Sequence, residues 1–302
     1  MNPPTLIALP GANDLAEALA EQVGWVCSSL DHRRFPDGES YLRLAAELSG
    51  PVALVARLDR PDPKIPALLF AAELARECGA TRLGLVCPYL PYMRQDMRFR
   101  SGEALTSACF ADWLSARFDW LLTVDPHLHR YSSLSEIYRL QTYSPSAAGA
   151  IGNWIVQRIE RPVIVGPDAE SAQWVEAVAA PHALPWQVLN KTRHGDRSVS
   201  IDRAELDGLD GLNPVLVDDI ASSGHTLAEA ARALQTAGLA APVCIVVHGL
   251  FDKRSLATLA DAGIAQLVCT NSVRTAYSEI ELAPLLAQHL HRLIDDPTET
   301  RP

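Results

Sequence analysis

The sequence predicts an α/β protein built from two doubly wound, mostly parallel-sheet domains. Short apolar runs alternate with longer helical patterns along all 302 residues, which is typical of parallel sheets covered by helices on both faces. A chain of this length can bury two cores of ordinary size. The two halves share this rhythm and are separated by a break at 142–147 that contains Ser, Tyr and Pro. We therefore expect one domain at 1–145 and a second at 146–302.

The individual elements follow from periodicity. Strands are predicted where short apolar runs end at turn residues, and helices where apolar residues recur every three or four positions. The predicted strands lie near 5–9, 51–57, 82–88, 119–125, 162–167, 186–190, 197–201, 214–218, 242–248 and 266–270. The predicted helices lie near 14–23, 65–78, 103–116, 147–158, 171–179, 226–237, 254–262 and 281–293.

The composition excludes several classes of function. A formal net charge of −10 argues against a broad surface for nucleic acid or for an anionic membrane, and no run of about eighteen apolar residues predicts a membrane span. The six cysteines stand singly, without a Cys-x-x-Cys pair, as expected for buried small residues in a reducing cytoplasm. We expect a soluble cytoplasmic protein that contacts neither nucleic acid nor membrane.

Polar residues gather where four predicted strands end. They lie at 92–100, at 125–129, at Asp168 and at Asp218. In open α/β sheets, ligands bind beyond the carboxyl ends of the strands. All four positions are therefore candidates for a binding site.

The most informative segment is 215–227, where an apolar strand ends in two adjacent carboxylates and a small-residue loop opens into a helix. Backbone N–H groups at a helix N-terminus favour an anion, and small side chains let a phosphate approach closely. The loop residues in question are Ser222, Ser223, Gly224, His225 and Thr226. Asp218 and Asp219 suit vicinal ribose hydroxyls or a hydrated divalent cation. A ribose 5-phosphate would fit both halves, whereas the alternative is a structural turn with an acidic tip.

A Pro-Asp-Gly turn at 34–39 predicts the tip of a hairpin. Such a tip explains Asp37 and Gly38 without any function. Phe35, however, could stack on a purine while Asp37 or Glu39 accepts a hydrogen bond from an exocyclic amine. The sequence leaves a plain turn and a nucleobase site equally open.

Arginines cluster at 92–100, in a loop of an otherwise acidic protein. Arg94, Arg98 and Arg100 could grip the oxygens of a polyphosphate, although a solvated charged loop is the alternative. The loop follows a buried strand and precedes an expected helix start at 101–103, which favours a functional role.

His127 ends another predicted strand, and Asp168 the next one. Together they could hold a magnesium nucleotide from opposite sides. Because magnesium prefers oxygen ligands, we expect His127 to contact phosphate or a metal-bound water. No Cys/His spacing predicts zinc.

Basic residues also lie between two predicted strands at 191–197. A mobile hairpin that carries Lys191 and Arg193 could close over a reacting phosphoryl group. An exposed basic hairpin without function is equally consistent with the composition.

Taken together, these stretches resemble the ribose-phosphate pyrophosphokinase family, also called phosphoribosyl pyrophosphate synthetases, over roughly residues 5 to 290. The matching motifs are the adenine turn at 35–39, the Tyr-x-Arg-Gln-Asp loop at 92–96, Val-Asp-x-His at 124–127, Pro-Asp at 167–168, the flexible loop at 191–193 and the sugar-phosphate loop at 217–226. The stretch at 100–103 and the compact loop at 191 look closer to the shorter archaeal-like members.

The resemblance implies two phosphoribosyltransferase-like domains and transfer of the pyrophosphoryl group of ATP to ribose 5-phosphate. The first domain would bind the nucleotide and the second the ribose 5-phosphate. By the resemblance, Phe35, Asp37, Glu39, Arg94, Gln95, Asp96 and His127 bind ATP, His127 and Asp168 orient its Mg²⁺, residues 218–219 and 222–226 bind the sugar phosphate, and Lys191 and Arg193 are catalytic. It also implies a homodimer or a larger homo-oligomer.

Two alternatives remain at this stage. A phosphoribosyltransferase would share the sugar-phosphate loop, but it would not require the nucleotide loop at 92–96. A catalytically silent regulatory relative is disfavoured because Lys191, Arg193, His127 and both acids are present.

Overall fold

The computed structural model describes residues 4–45, 47–189, 191–193, 199–201 and 209–295, with the backbone alone at 191–193, 199–201, 294 and 295. Contacts between Cα atoms divide the chain into two compact units. The first comprises the residues up to Pro145 and those from Ala283 onward, and the second comprises 146–282.

The first unit contains a six-stranded sheet in which every neighbouring pair is parallel. Its elements are β1 (Thr5–Ala8), α1 (Asn13–Val23), β2 (Val26–Ser28), β3 (Leu30–Arg34), β4 (Ser40–Leu44), β5 (Pro51–Val55), α2 (Ile65–Glu77), β6 (Arg82–Val86), α3 (Thr106–Ser115), β7 (Trp120–Leu122) and β8 (Gln141–Tyr143). The strand order is β2-β1-β5-β6-β7-β8, and β3 and β4 form a separate antiparallel hairpin.

The second unit repeats this topology. Its elements are α4 (Ala148–Arg158), β9 (Pro162–Gly166), α5 (Ala172–Ala179), β10 (Trp186–Val188), β11 (Lys191–Arg193), β12 (Val199–Ile201), β13 (Asn213–Ala221), α6 (His225–Thr236), β14 (Val243–Gly249), α7 (Lys253–Asp261), β15 (Gln266–Thr270) and β16 (Ser278–Ile280). The strand order is β10-β9-β13-β14-β15-β16, again with all neighbours parallel, and β11 and β12 form an antiparallel hairpin. The predicted fold class is confirmed.

The last helix, α8 (Ala283–Asp295), packs against α1 in the first unit. Leu286, Leu290 and Leu293 recur at helical spacing and are fully buried. The sequence-based division at 146–302 assigned this helix to the second domain. Periodicity reveals that a helix has an apolar face, but it does not reveal which sheet or helix covers that face.

The start of α3 differs from the expectation. Residues 101–103 were expected to begin this helix, but it begins at Thr106. The Glu103 carboxylate instead accepts the backbone N–H groups of Phe99 and Arg100, at 2.8 and 3.1 Å. It therefore stabilises the arginine-rich loop rather than a first helical turn.

The core of the first unit requires a glycine beside a tryptophan. Trp120 is fully buried, and a Cβ atom added at Gly84 would lie 1.9 Å from its ring. We expect Gly84→Ala to lower the free energy of unfolding by about 3 kcal/mol, because a packed core resists an added methyl group. Urea denaturation measures this loss.

Gly149 in α4 provides a matched control. A Cβ there meets no atom within 4 Å, so Gly149→Ala should stabilise the protein by up to about 1 kcal/mol through helix propensity. Equal stability of the Gly84→Ala variant and the unaltered protein would contradict the packing.

Candidate active site

The order of strands in the second unit reverses between β9 and β13. The loops that follow these two strands leave in opposite directions and open a crevice at this topological switch point. Asp168 follows β9, and Asp218 and Asp219 lie near the carboxyl end of β13. The fold thus brings these three predicted residues to one crevice.

Strand β13 is longer than predicted, so both paired acids lie within it. The predicted strand stops at 218, but the ladder with β14 continues to the pair Ala221 and Gly249. Asp218 is half-buried, and Asp219 is 5% exposed. Each carboxylate accepts the next backbone N–H group, that of Asp219 at 3.0 Å and that of Ile220 at 2.7 Å. Both acids are therefore held in place by the local backbone.

The carboxylates repel one another. Burial raises the pKa of Asp218 well above its usual range, and the negative charges of Asp219 and Asp168 raise it further. A carboxylate whose ionised form is disfavoured in this way is relieved by a nearby cation or by hydroxyl donors. The crevice therefore favours a ligand that brings positive charge or hydroxyl groups.

The raised pKa of Asp218 has a consequence for stability. The native state holds this proton more tightly than the unfolded chain, so the protonated group favours folding at low pH. This advantage is lost as the pH rises from about 4 through the raised pKa. Asp218→Asn, which removes the charge, should then raise the unfolding temperature of the ligand-free protein at pH 7.5 by about 2–4 °C and change it less at pH 4. Calorimetry at the two pH values checks this; an equal shift at both would contradict the repulsion.

Asp168 also caps a short helix. Its carboxylate accepts the N–H group of Glu170 at 3.2 Å, and with Ser171 it forms a capping box on the short 3-10 helix Ala169–Ser171. A Cβ at Gly166 would lie 2.4 Å from the Ser171 hydroxyl oxygen, which explains the glycine at the end of β9. The cap fixes the position of Asp168 at the rim of the crevice.

The loop after β13 has the form expected of an anion cradle. Gly224 adopts φ 72° and precedes α6, and this glycine has no side chain that could cap the helix. The Ser223 hydroxyl accepts the His225 N–H group at a long 3.5 Å. A Cβ at Gly224 would lie 3.0 Å from Cγ of Leu259, so space as well as φ requires glycine. Ser223 and His225 are exposed, whereas Ser222 and Thr226 are half-buried. The five predicted loop residues thus surround a helix N-terminus beside the acids.

Lys191 and Arg193 lie in β11, which pairs with β12 from Lys191 opposite Ile201 to Arg193 opposite Val199. Their side chains and residues 194–198 lie outside the described part of the chain. The backbone agrees with the predicted hairpin.

In the first unit, the residues predicted to bind adenine are exposed at the tip of the β3–β4 hairpin. Phe35 is 39% exposed, and Asp37 and Glu39 are exposed beside it. The turn closes through the Phe35 N–H group, which donates to the Glu39 carbonyl at 2.8 Å. Arg33, which the sequence reading missed, lies over the Phe35 ring at 4.6 Å and the Tyr41 ring at 4.2 Å. Its cation stiffens the aromatic tip.

The loop at 92–100 contains three exposed arginines and one buried acid. Arg94, Arg98 and Arg100 are exposed, whereas Asp96 is 8% exposed and pairs with Nε of Arg130 at 3.3 Å. Gln95 accepts a hydrogen bond from the Thr106 hydroxyl at 3.1 Å. Asp96 therefore anchors the loop, and Arg94 is presented to solvent. Arg130 and Thr106 were missed because no local pattern links them to this loop.

Tyr92, at the beginning of this loop, is also held in place. Its φ is 65°, a strained value for a bulky residue, and its hydroxyl donates to the Asp62 carboxylate at 2.6 Å. Burial and this carboxylate raise the tyrosine pKa. The loop is thus held at both Tyr92 and Asp96.

His127 is half-buried and stacks on His129, with ring centroids 6.2 Å apart and planes 5° from parallel. His127 lies in the first unit and Asp168 in the second, so the predicted magnesium pair involves both units. Among the described residues, no group of three or more His, Cys, Asp or Glu side chains is arranged to hold a metal ion on its own. In the same part of the chain, every helix is too short or too polar to cross a membrane.

Two family models match successive parts of this chain. Residues 5–117 match the N-terminal domain of ribose phosphate pyrophosphokinase. Residues 134–284 match the phosphoribosyl transferase domain. The second match covers the crevice and its loop.

Among known proteins, the chain is similar to enzymes named ribose-phosphate pyrophosphokinase. That of Methanopyrus kandleri is 32% identical over 92% of this chain and 96% of its own length. That of Methanosarcina acetivorans is 31% identical over 95% and 99%. The resemblance to archaeal members is confirmed by these two relatives.

A solved structure has the same fold. The phosphoribosylpyrophosphate synthetase from Mycobacterium smegmatis superposes with a TM-score of 0.84 over 97% of this chain and 99% of that one, at 22% identity. The predicted phosphoribosyltransferase-like type of both domains is thereby confirmed.

Proposed function

The chain belongs to the ribose-phosphate pyrophosphokinase family and is an enzyme that forms phosphoribosyl pyrophosphate, and we propose that ATP and ribose 5-phosphate react through the residues described above. The observation that carries the proposal is the crevice of the second unit, where Asp168 and the paired acids Asp218 and Asp219 lie at the strand ends that precede the glycine-capped start of α6. The match of residues 5–117 to a pyrophosphokinase N-terminal domain disfavours a simple phosphoribosyltransferase.

The crevice offers partners for both the phosphate group and the hydroxyl groups of ribose 5-phosphate. Backbone N–H groups of residues 222–226 would donate to the 5-phosphate, where the helix dipole adds positive potential. Asp218 and Asp219 would accept hydrogen bonds from the 2- and 3-hydroxyls, directly or through a metal ion. The 1-hydroxyl is then left as the nucleophile.

ATP suits the first-unit residues. The exposed Phe35 ring would stack on adenine, and Asp37 or Glu39 would accept the hydrogen bond of the 6-amino group. Arg94, held in place by the anchored loop around Gln95 and Asp96, would bind phosphate oxygens, and His127 would contact a phosphate or a metal-bound water. A homodimer or larger homo-oligomer is proposed because the family resemblance implies a nucleotide pocket shared with a neighbouring copy.

Magnesium fits the acidic crevice by its chemistry. Asp168, Asp218 and Asp219 carry the hard oxygen atoms that Mg²⁺ prefers, and a cation near them relieves their mutual repulsion. Because these acids alone are not arranged as a complete metal site, water and substrate oxygens would supply the other ligands. When bound, the ion would neutralise phosphate charge. Asp168 would orient the ion that accompanies ATP.

The reaction forms a bond between the ribose 1-oxygen and the β-phosphorus of ATP and breaks the bond between that phosphorus and the oxygen bound to the α-phosphorus. AMP leaves, and the hydroxyl proton is released. Such transfers depend on positioning and electrostatics rather than on a covalent enzyme intermediate. Lys191 and Arg193, on the hairpin, would stabilise the negative charge that develops.

We propose a cytoplasmic location. All six cysteines are free, and Cys87, Cys244 and Cys269 are buried. Unpaired thiols of this kind suit a reducing compartment.

The glycine of the sugar-phosphate loop provides one test of the site. Gly224→Ala adds a Cβ at φ 72° and 3.0 Å from Leu259, so the loop must shift away from its phosphate-binding form. The KM for ribose 5-phosphate should rise at least tenfold, a change of about 1.4 kcal/mol. Gly238→Ala is the matched control, because Gly238 has φ 91° at the other end of α6 but no atom within 4 Å of an added Cβ. An equal KM in both variants would contradict the cradle.

The activity itself is tested by incubating the full chain with Mg-ATP and ribose 5-phosphate. We expect AMP and phosphoribosyl pyrophosphate in equal amounts, and no AMP without the sugar phosphate. Reaction only with a nucleobase and the finished phosphoribosyl donor would identify a phosphoribosyltransferase instead. Lack of either reaction in the folded protein would favour a silent relative.

A further inference from the structure

Two loops of the first unit leave the sheet side by side. β6 and β7 are parallel neighbours, and beyond them the Val124 N–H group still donates to the Pro88 carbonyl at 3.0 Å. The loop at 92–100 comes after the first of these strands, and the loop at 125–131 comes after the second. The carboxyl ends of adjacent parallel strands are where ligands bind in such sheets.

Asp96 joins these two loops. Its carboxylate oxygen Oδ1 lies 3.3 Å from Nε of Arg130, and its carbonyl accepts a hydrogen bond from the Tyr131 hydroxyl at 3.3 Å. Tyr131 and Leu128 in turn pack against the core of the unit. Two consecutive residues of the second loop thus hold one residue of the first, which fixes the loops to each other.

The Asp96 carboxylate is oriented towards Arg130 rather than towards solvent. Its side chain is 5% exposed, and an ionised carboxylate in such a place requires a cation, because an unpaired buried charge is costly. Among the described residues, Arg130 supplies that cation. An effect of Asp96 on a bound nucleotide would therefore be transmitted through Arg130.

Arg130 keeps most of its hydrogen-bond donors. Its side chain is 41% exposed, and no second carboxylate in the described part of the chain pairs with it. Because the nearest approach to Asp96 is made by Nε, the fork formed by the two Nη groups is left over. A guanidinium that is tethered in this way presents its fork in a fixed direction, as bidentate binding of two phosphate oxygens requires.

Arg130 lies close in the chain to groups that are proposed to bind phosphate. His127 precedes it by three residues in the same loop, and the exposed Arg94 precedes Asp96 by two residues in the other loop. Arg130 itself lies outside the Val-Asp-x-His motif at 124–127. Its contribution therefore becomes visible only through its contact with Asp96.

We propose that Arg130 binds the outer phosphates of ATP and that Asp96 positions it for this contact. The inference rests on the proposed function, since it requires ATP to bind at these two loops. The outer phosphates carry most of the negative charge of ATP, and a guanidinium fork can bind two of their oxygens at once. Arg130 thus holds the group that is transferred, and AMP, which lacks this group, does not use the contact.

Calorimetric titration of the full chain with Mg-ATP and, separately, with AMP tests this contact. Ribose 5-phosphate is left out, so that no transfer takes place. Arg130→Gln should weaken the binding of ATP by about tenfold or more and that of AMP by less than about twofold, because a hydrogen bond between charged groups is lost only with ATP.

Arg139→Gln is the matched control. Arg139 is an exposed arginine of the same unit and is also paired, with the Asp112 carboxylate at 2.5 Å. Its replacement removes one positive charge from the surface of this unit and should leave both affinities unchanged.

Two further variants separate the contact from the stability of the loops. Asp96→Asn releases Arg130, so it should weaken the binding of ATP, by less than Arg130→Gln does, and leave that of AMP unchanged. The double variant Asp96→Asn/Arg130→Gln buries no unpaired charge, which guards against loss of folding. It should bind ATP as weakly as Arg130→Gln alone, because Asp96 acts through Arg130, and its circular dichroism should equal that of the unaltered protein.

Two results would overturn the inference and leave the proposed function in place. One is an equal loss of ATP and AMP affinity in Arg130→Gln and in the double variant, which would mean that the pair only maintains the shape of the loops. The other is unchanged ATP affinity in both variants. Failure of the unaltered protein to bind ATP would instead overturn the proposed function, and the inference with it.

Discussion

Lys191→Ala is expected to lower kcat at least 100-fold while the KM for ATP changes less than about threefold. Lys191 lies on the hairpin inserted between β10 and β13, the strand that carries the acids. A cation that meets the substrate only as charge develops stabilises the transition state more than the bound ground state, and loss of one such donor typically costs about 10²–10³ in rate. Steady-state kinetics with both substrates varied separates the two constants.

Lys253→Ala is the matched control, because Lys253 is an exposed lysine of the same unit at the start of α7. This change should leave both constants unaltered. A Lys191→Ala variant with normal kcat and a raised KM for ATP would mean that the hairpin binds nucleotide without taking part in the transfer.

Asp219→Asn is expected to reduce kcat/KM for ribose 5-phosphate about 10–100-fold without weakening ATP binding. Asp219 is 5% exposed, and its carboxylate accepts the Ile220 N–H group at 2.7 Å, so the side chain is fixed in position and cannot be replaced by a mobile neighbour. Hydrogen bonds to a charged acceptor contribute about 1.5–3 kcal/mol, and an amide in this position retains the shape but loses the charge.

Asp261→Asn controls for the loss of one negative charge, since Asp261 is exposed at the end of α7 in the same unit. It should not alter the sugar dependence. If Asp219→Asn keeps normal kinetics with ribose 5-phosphate and instead loses ATP binding, the assignment of the acids to the ribose is wrong.

The central strands were predictable because burial on both faces leaves a continuous apolar run. Val163, Val165, Val215 and Val217 are fully buried, as the runs near 162–167 and 214–218 indicate. β2, β8 and β16 were missed, and all three are three-residue edge strands. An edge strand pairs on one side only, so its pattern is weak; Val26 in β2 is 50% exposed.

The hairpin tip was predictable for a local reason, because Pro36, Asp37 and Gly38 in this order strongly favour a turn. Gly38 has φ 95° in that turn. The contact of Arg33 with Phe35 and Tyr41 depends on how the two strands pair, which local sequence does not specify.

Long-range side-chain pairs account for most of what was missed in the candidate site. The motif predicts Asp96 as a nucleotide-binding residue; its burial beside Arg130 follows from tertiary packing, which the motif does not reveal. The same holds for the raised pKa of Asp218, which follows from its burial and from the charges of Asp219 and of Asp168, fifty residues earlier in the chain. Motifs indicate candidate residues, whereas packing decides which of them can face a ligand.

The account depends on transfer of the two outer phosphates of ATP as one group. The most direct measurement follows ATP that carries distinct labels on its β- and γ-phosphorus atoms, in a reaction with ribose 5-phosphate and Mg²⁺. We predict that both labels move together to the sugar and that the AMP is unlabelled. Transfer of the γ label alone, with the β label retained in ADP, would contradict the central claim.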